Sequence, residues 1–159
     1  INTTGITNLK TYVAYENQLA SIDVSTNTAL DVLSVGNNNL STINVSNNAL
    51  LTELYVGQNQ LTTLDVTSNP LLEEFWYQRN QVNMVNTSGL SALKTYVAYD
   101  NQLTSVDVST NTALNLLSLG TNSFSSVNIS NNTLLTELYL SRNQLTTIDL
   151  QLHTALEKL

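Results

Sequence analysis

Apolar residues recur along the chain with a fixed period of 21 residues. The unit begins with the consensus L-x-x-L-x-L, in which the last two apolar residues are two apart and point to the same side of an extended strand. One strand cannot bury that side alone, so the pattern predicts stacked coils whose strands pair in parallel, about 4.8 Å apart. The first leucines of the successive units are Leu9, Leu30, Leu51, Leu72, Leu93, Leu114, Leu135 and Leu156.

Asparagines follow the predicted strands with the same spacing, at Asn17, Asn38, Asn59, Asn80, Asn101, Asn122 and Asn143. They stand where the chain must turn. There an amide can bond backbone groups of the adjacent coil that would otherwise be buried without partners. We therefore interpret them as structural. Asn, Thr and Ser fill most of the remaining positions without a stripe of 3.6-residue period, which argues against helices.

The repeating unit resembles that of the leucine-rich repeat family, in particular its short bacterial class with two similar halves per unit. The halves are "LTELYVGQNQ" at 51–60 and "LTTLDVTSNP" at 61–70, and the resemblance covers essentially the whole chain. It implies a solenoid of about seven and a half coils, with a parallel β-sheet on the concave face and little or no helix. It also implies an extended or short-strand ladder on the opposite face.

A longer period lies on top of the unit, because residues 85–159 resemble the start of the chain at an offset of four units. The segment "LKTYVAY" occurs at 9–15 and again at 93–99, and each copy follows an irregular lead-in, "INTTGITN" or "VNTSGLSA". We predict a single solenoid domain over 1–159, made of two homologous blocks of four coils, 1–84 and 85–159.

Charges test the stacking, because residues 21 apart become lateral neighbours in which opposite charges attract. Most of the five basic residues have an acid one coil away. The expected pairs are Lys10 with Asp31, Glu73 with Lys94, Arg79 with Asp100, and Glu137 with Lys158. A second column alternates acid and amide, at Asp23, Asn44, Asp65, Asn86, Asp107, Asn128 and Asp149. This alternation separates the carboxylates and disfavours a calcium site.

One pair of lateral neighbours does not follow the pairing of opposite charges, since Glu53 and Glu74 are both acidic. Two residues further along the same strands stand Tyr55 and Trp76, and period-two alternation places all four on the outer face of the sheet. The family resemblance makes that face the ligand-binding one. We predict a ligand contact at Trp76, Tyr55, Glu74 and Glu53, with Tyr99 a weaker candidate together with Tyr15.

Other interpretations of the same segment, "EEFWYQRNQ" at 73–81, remain open. Phe75 and Tyr77 fall on inward positions and are expected in the core. Arg79 with Asp100 is typical of a solvated ion pair, and Trp76 with Tyr55 could be an aromatic pair that only packs together.

The family resemblance implies non-catalytic recognition or adhesion by a secreted or surface-exposed bacterial protein. A protein partner is the first expectation, and a glycan ligand or a passive spacer role are the alternatives. An open end of the solenoid, including Leu152 and Leu159, would expose apolar residues and favour end-to-end self-association.

Composition narrows the functional classes. The net charge of −7 disfavours binding to a nucleic-acid backbone. The absence of cysteine excludes disulfides and thiolate metal sites, and no apolar run is long enough to insert in a membrane. No base is placed to activate the many Ser and Thr residues, and the single His153 occupies a ladder-asparagine position. We therefore expect no enzyme activity and no metal or other cofactor.

Overall fold

The computed structural model of the protein describes residues 3–159, so that Ile1 and Asn2 of the first predicted block lie outside the described residues. Seven short strands form one sheet in chain order, and each strand pairs in parallel with the next. The strands are β1 (Thr11–Val13), β2 (Val32–Ser34), β3 (Glu53–Tyr55), β4 (Glu74–Trp76), β5 (Thr95–Val97), β6 (Leu116–Ser118) and β7 (Glu137–Tyr139). No helix occurs within 3–159.

The register of the sheet confirms the 21-residue period. Tyr12 of β1 pairs with Leu33 of β2, and each later strand repeats this offset. Strands β4 and β5 pair in the same way across the junction of the two predicted blocks, so the sheet continues without a break. A bridge from Glu137 to Lys158 extends the parallel order beyond β7.

The core lies behind the sheet, where the inward residues of the successive coils stack on one another. An aromatic cluster occupies its middle, because Phe75, Tyr77 and Tyr96 are all completely buried. The rings of Phe75 and Tyr96 stack with their centroids 5.7 Å apart, and the hydroxyls of Tyr77 and Tyr96 are hydrogen-bonded to each other. Ala98 takes the position in β5's coil that Tyr77 takes in the preceding coil, so a small residue lies beside the largest one. The expected core positions of Phe75 and Tyr77 are confirmed.

The asparagine ladder after the strands joins each coil to the one before it, as the sequence predicted. The Asn59 amide nitrogen donates to the carbonyls of Val35, 3.1 Å away, and Val56, 3.0 Å away. Its Oδ1 accepts from the backbone N–H of Leu40 at 3.0 Å. One side chain therefore satisfies three backbone groups that lie in two coils.

The side of the solenoid opposite the sheet is extended, and none of the described residues there forms a strand. A second ladder of buried polar side chains replaces strand pairing. Its members are Asn27, Asn48, Asn69, Asn111, Asn132 and His153. His153 is a structural substitute, as expected, because its Nε2 lies 3.1 Å from the carbonyl oxygen of Ile129.

The side chains in the column of alternating Asp and Asn also bond the backbone, a role that their charges alone did not predict. Each side chain accepts a hydrogen bond from the backbone N–H two residues later, as in the pairs Asp65 to Thr67 and Asn44 to Ser46. Such turns accept either a carboxylate or an amide. The column therefore shapes a turn in every coil, whatever its charge.

Three of the four predicted ion pairs form. Their members are Lys94 with Glu73 at 2.6 Å, Lys158 with Glu137 at 2.8 Å, and Arg79 with Asp100 at 3.9 Å. Lys10 and Asp31 are lateral neighbours, as predicted, since the backbone N–H of Asp31 donates to the carbonyl of Lys10, but within 3–159 their side chains make no ion pair. Asp31 instead accepts from the hydroxyl of Thr52 in the following coil. A competing neutral donor thus replaces an exposed ion pair of small energy.

The exposure of Leu152 and Leu159 agrees with the sequence-based expectation. End-to-end association of the solenoid through such residues stays a prediction.

The second ladder yields a test on matched residues. The Thr87 hydroxyl lies 3.0 Å from Asn111 Oδ1 and 2.7 Å from the Asp107 carbonyl oxygen. Val45 occupies the equivalent position relative to Asn69, whose buried Oδ1 has no partner among the described residues. We expect Thr87→Val to lower the free energy of unfolding by about 1 kcal/mol, because it removes the donor from a buried acceptor.

The reciprocal change, Val45→Thr, is the control. A buried Val→Thr substitution normally destabilises, since the hydroxyl loses its contact with water. Here the new hydroxyl can reach Asn69 Oδ1, so we expect no loss of stability in urea denaturation. A loss from Val45→Thr as large as that from Thr87→Val would contradict the assignment of this hydrogen bond.

Candidate functional site

The four residues of the predicted contact come together on the outer face of β3 and β4. Glu53 pairs laterally with Glu74, and Tyr55 pairs with Trp76. The side chain between each acid and aromatic, Leu54 or Phe75, points into the core and is completely buried. The alternation that buries these two residues therefore holds the four outward side chains, which we call the acidic-aromatic patch.

The patch is organised by hydrogen bonds within each strand. The Tyr55 hydroxyl donates to Glu53 Oε2 at 2.9 Å, and the Trp76 indole N–H donates to Glu74 Oε2 at 3.0 Å. The hydroxyl of Thr95 in β5 donates to Glu74 Oε1 at 3.1 Å. Each carboxylate therefore has neutral donors and orients the aromatic ring of its own strand.

The two aromatic rings pack edge to face, with centroids 5.7 Å apart and planes inclined at 74°. Tyr55 and Trp76 are half-buried rather than fully exposed. Burial raises the pKa of Tyr55 above its ordinary value, and the hydrogen bond to Glu53 and the charges of Glu53 and Glu74 raise it further. The surroundings of the phenol thus disfavour its ionisation beside the two carboxylates.

Among residues 3–159, no cation pairs with either carboxylate of the patch. The ion pairs in the described part of the chain all lie elsewhere, and neither Glu53 nor Glu74 belongs to one. Strands β3 and β4 contain no basic residue. Two carboxylates on adjacent strands therefore create a negative potential on this part of the sheet.

Beside the patch the outer face has a depression with a volume of about 270 Å³. The lining residues are Tyr15, Ser34, Gly36, Tyr55, Gly57, Gln58, Trp76 and Gln78. Aromatic rings thus form walls around a floor that contains two glycines.

The two glycines leave space for the side chains that lie over them. A Cβ at Gly57 would come within 2.6 Å of the Gln78 side-chain amide, and a Cβ at Gly36 would come within 3.2 Å of the Tyr15 ring. Any larger residue would therefore displace Gln78 or Tyr15. The glycines lower the floor of the depression and leave room above it for both side chains.

Tyr99 does not line this depression, although the sequence grouped it with Trp76. The guanidinium carbon of Arg79 lies 5.8 Å from the centroid of the Tyr99 ring, and Arg79 also faces Asp100. Tyr15, the other weak candidate, does line it. The depression could have been predicted from one column of residues that are 21 apart, namely Tyr15, Gly36, Gly57 and Gln78. Two glycines between two large side chains leave a gap.

The described residues do not form a metal centre, since no group of three His, Cys, Asp or Glu side chains among them could hold an ion. Likewise, no helix long and apolar enough to cross a membrane occurs in 3–159. Glu53 and Glu74 lie on the same face of one sheet and bond neutral donors. This arrangement suits the binding of a polar or cationic group.

Solved structures with the same architecture come from Listeria monocytogenes and Leptospira interrogans. The functional domain of InlJ from Listeria monocytogenes matches 98% of this chain and 40% of its own, with 25% identity and a TM-score of 0.82. A leucine-rich repeat protein from Leptospira interrogans matches 96% of this chain and 44% of its own, with 23% identity and a TM-score of 0.90. The chain is a leucine-rich repeat solenoid. Its single parallel sheet and the absence of helix within 3–159 agree with what the resemblance implied.

A third match to the solenoid is the internalin InlF from Listeria monocytogenes, with 21% identity, a TM-score of 0.91, and coverage of 96% of this chain and 49% of its own. The solenoid thus spans less than half the length of each of these three proteins. InlJ is described as including a cysteine ladder, whereas this solenoid has no cysteine and uses asparagines.

The family model of the LVIVD repeat matches residues 95–120 of this chain. No curated protein matches the chain significantly.

Proposed function

We propose that this solenoid is a non-catalytic recognition module that binds a protein partner through the concave face of its sheet, with the contact centred on Trp76 and Tyr55. The observation that carries the proposal is the acidic-aromatic patch itself. It places two half-buried aromatic rings and two unneutralised carboxylates beside a depression on a continuous sheet. Trp and Tyr are the residues most often found at the energetic centre of protein interfaces.

The rigidity of the patch supports recognition. Both rings are held by a hydrogen bond and by each other, and the strands below them are anchored by buried residues. A partner would therefore lose little binding energy to ordering these side chains. A secreted or surface location in a bacterium belongs to the same proposal, and the architecture shared with two Listeria internalins supports it.

Glycan binding is the second candidate, and the depression favours it. Its aromatic walls and the side chains of Ser34, Gln58 and Gln78 combine apolar faces with hydrogen-bonding groups, which a sugar ring also requires. The selection of a partner should therefore include a glycan array beside a library of displayed protein fragments.

Trp76→Ala tests the proposal once a binder has been selected against the wild-type protein. We expect its affinity to fall by about thirtyfold, which corresponds to about 2 kcal/mol, because the ring is the largest side chain of the patch. Titration calorimetry would measure the change. Tyr139→Ala is the matched control, since Tyr139 donates to Glu137 as Tyr55 does to Glu53 but has no aromatic neighbour in the preceding strand.

Trp76 also packs against Tyr55, so its removal lowers stability by about 1 kcal/mol. Binding must therefore be compared where urea denaturation shows both variants fully folded. Equal loss of affinity in Trp76→Ala and Tyr139→Ala, or no loss in either, would remove the patch from the interface. Binding of glycans but of no protein would support the second candidate, and the absence of any ligand would favour a passive spacer.

A further inference from the structure

The patch has an internal counterpart 84 residues later in the chain. Glu137 and Tyr139 on β7 repeat Glu53 and Tyr55 on β3. The Tyr139 hydroxyl donates to Glu137 Oε2 at 2.7 Å, as the Tyr55 hydroxyl donates to Glu53 Oε2 at 2.9 Å. The same local arrangement therefore occurs twice on one sheet.

The two copies differ in the residue that the following coil places beside the glutamate. In the later copy this residue is Lys158, which bridges to Glu137 in parallel register. Its ammonium lies 2.8 Å from Glu137 Oε1. In the earlier copy the equivalent residue is Glu74, which pairs with Glu53. A cation in one copy is thus replaced by a second acid in the other.

The later copy shows how a cation is accommodated. The Lys158 ammonium, followed by the Tyr139 hydroxyl, holds the pKa of Glu137 below its ordinary value, and Glu137 in turn raises the pKa of Lys158. Tyrosine and ammonium bind different oxygens of one carboxylate. In the earlier copy Tyr55 takes Glu53 Oε2, and Glu53 Oε1 has no hydrogen-bond partner among the residues described.

We propose that the acidic-aromatic patch binds a basic side chain, lysine or arginine, of the partner protein, with the cation between Glu53 and Glu74 as Lys158 lies against Glu137. This inference rests on the proposed function and names the chemistry of the ligand. The faces of Tyr55 and Trp76 add an attraction for the cation, since aromatic faces bind ammonium and guanidinium groups. An acidic partner would be repelled by the same two carboxylates.

The single tryptophan of the chain is the reporter for the test, because Trp76 lies in the patch. A lysine decapeptide, an arginine decapeptide and a citrulline decapeptide are titrated against the wild-type protein while its fluorescence is followed. We expect the two basic peptides to change the fluorescence and the neutral citrulline peptide to have no effect. The affinity should fall as salt rises, and the ratio of the two basic affinities separates arginine from lysine.

The protein carries a net charge of −7, so non-specific attraction must be separated from binding at the patch. Glu74→Lys places a cation where the later copy has Lys158, and Glu157→Lys makes the same change in net charge at an exposed position elsewhere. We expect Glu74→Lys to weaken the basic peptides at least tenfold more than Glu157→Lys does, because charges within the contact act at short range.

A further variant and a stability control exclude a purely structural effect. Glu74→Gln keeps an acceptor for the Trp76 indole and removes only the charge, so it should also weaken basic peptides, by less than Glu74→Lys. Glu74→Lys gives Glu53 the partner that Glu137 already has but removes the acceptor of the Trp76 indole and of the Thr95 hydroxyl, so affinities are compared only where urea denaturation shows every variant fully folded.

Equal binding of the basic peptides by Glu74→Lys and Glu157→Lys would overturn the inference, because net charge alone would then explain the attraction. The proposed function has a separate outcome. A selected protein partner that is weakened by Trp76→Ala and unaffected by Glu74→Lys would retain the interface and reject the basic side chain. A partner unaffected by both variants would reject the interface as well.

Discussion

Tyr77→Ala is expected to lower the free energy of unfolding by about 3–5 kcal/mol, the largest effect on stability that we expect from a single substitution in this protein. Tyr77 is completely buried, and the centroid of its ring lies 4.8 Å from that of Phe75. Its hydroxyl is hydrogen-bonded to that of Tyr96. Alanine would leave a cavity in the middle of the stack and an unpaired hydroxyl. Urea denaturation followed by circular dichroism measures the change.

A double-mutant cycle separates the hydroxyl from the ring. Tyr77→Phe and Tyr96→Phe should each destabilise by about 1 kcal/mol or more, because each leaves the other hydroxyl buried without its partner. Among the described residues, neither hydroxyl has another side-chain hydrogen-bond partner. The double variant should therefore be at least as stable as either single one. Strictly additive losses would show that the hydroxyls are satisfied separately.

Asn59→Ala is expected to destabilise the protein by about 1–3 kcal/mol. It removes one side chain that bonds the Leu40 N–H and the carbonyls of Val35 and Val56, and it does so in the middle of the array. The ladder would be interrupted between two coils. Urea denaturation again provides the measurement.

Asn39→Ala is the matched control, since Asn39 is an exposed asparagine in a neighbouring coil that does not belong to the ladder. Its removal should change stability by less than about 0.5 kcal/mol. Similar losses from both substitutions would mean that the ladder is not what joins the coils.

The stacking could be predicted in detail because the same local sequence pattern recurs in every coil. A leucine column, an asparagine column and the period-two alternation all give the same register, which the pairing of Tyr12 with Leu33 reproduces. The lateral pairing of Glu53 with Glu74 and of Tyr55 with Trp76 follows from that register alone. Sequence distance converts directly to spatial distance in such an array.

The details of side-chain partners could not be predicted in this way. Asp31 has Lys10 on one side and Thr52 on the other, and it bonds the threonine. The guanidinium of Arg79 lies over the ring of Tyr99, and Tyr99 does not line the depression beside Trp76. Several neighbours lie within reach of each of these side chains, and differences of a few tenths of a kcal/mol on an exposed surface choose among them.

The repeat in the sequence was thus sufficient for the solenoid, its parallel sheet, the inward positions and the ladder of asparagines. These features are periodic, and each copy supports the others. The half-burial of Tyr55 and Trp76, the depression over Gly36 and Gly57, and the neutral donors on Glu53 and Glu74 became visible only in three dimensions. They depend on how unlike side chains from different coils pack together, which a period cannot specify.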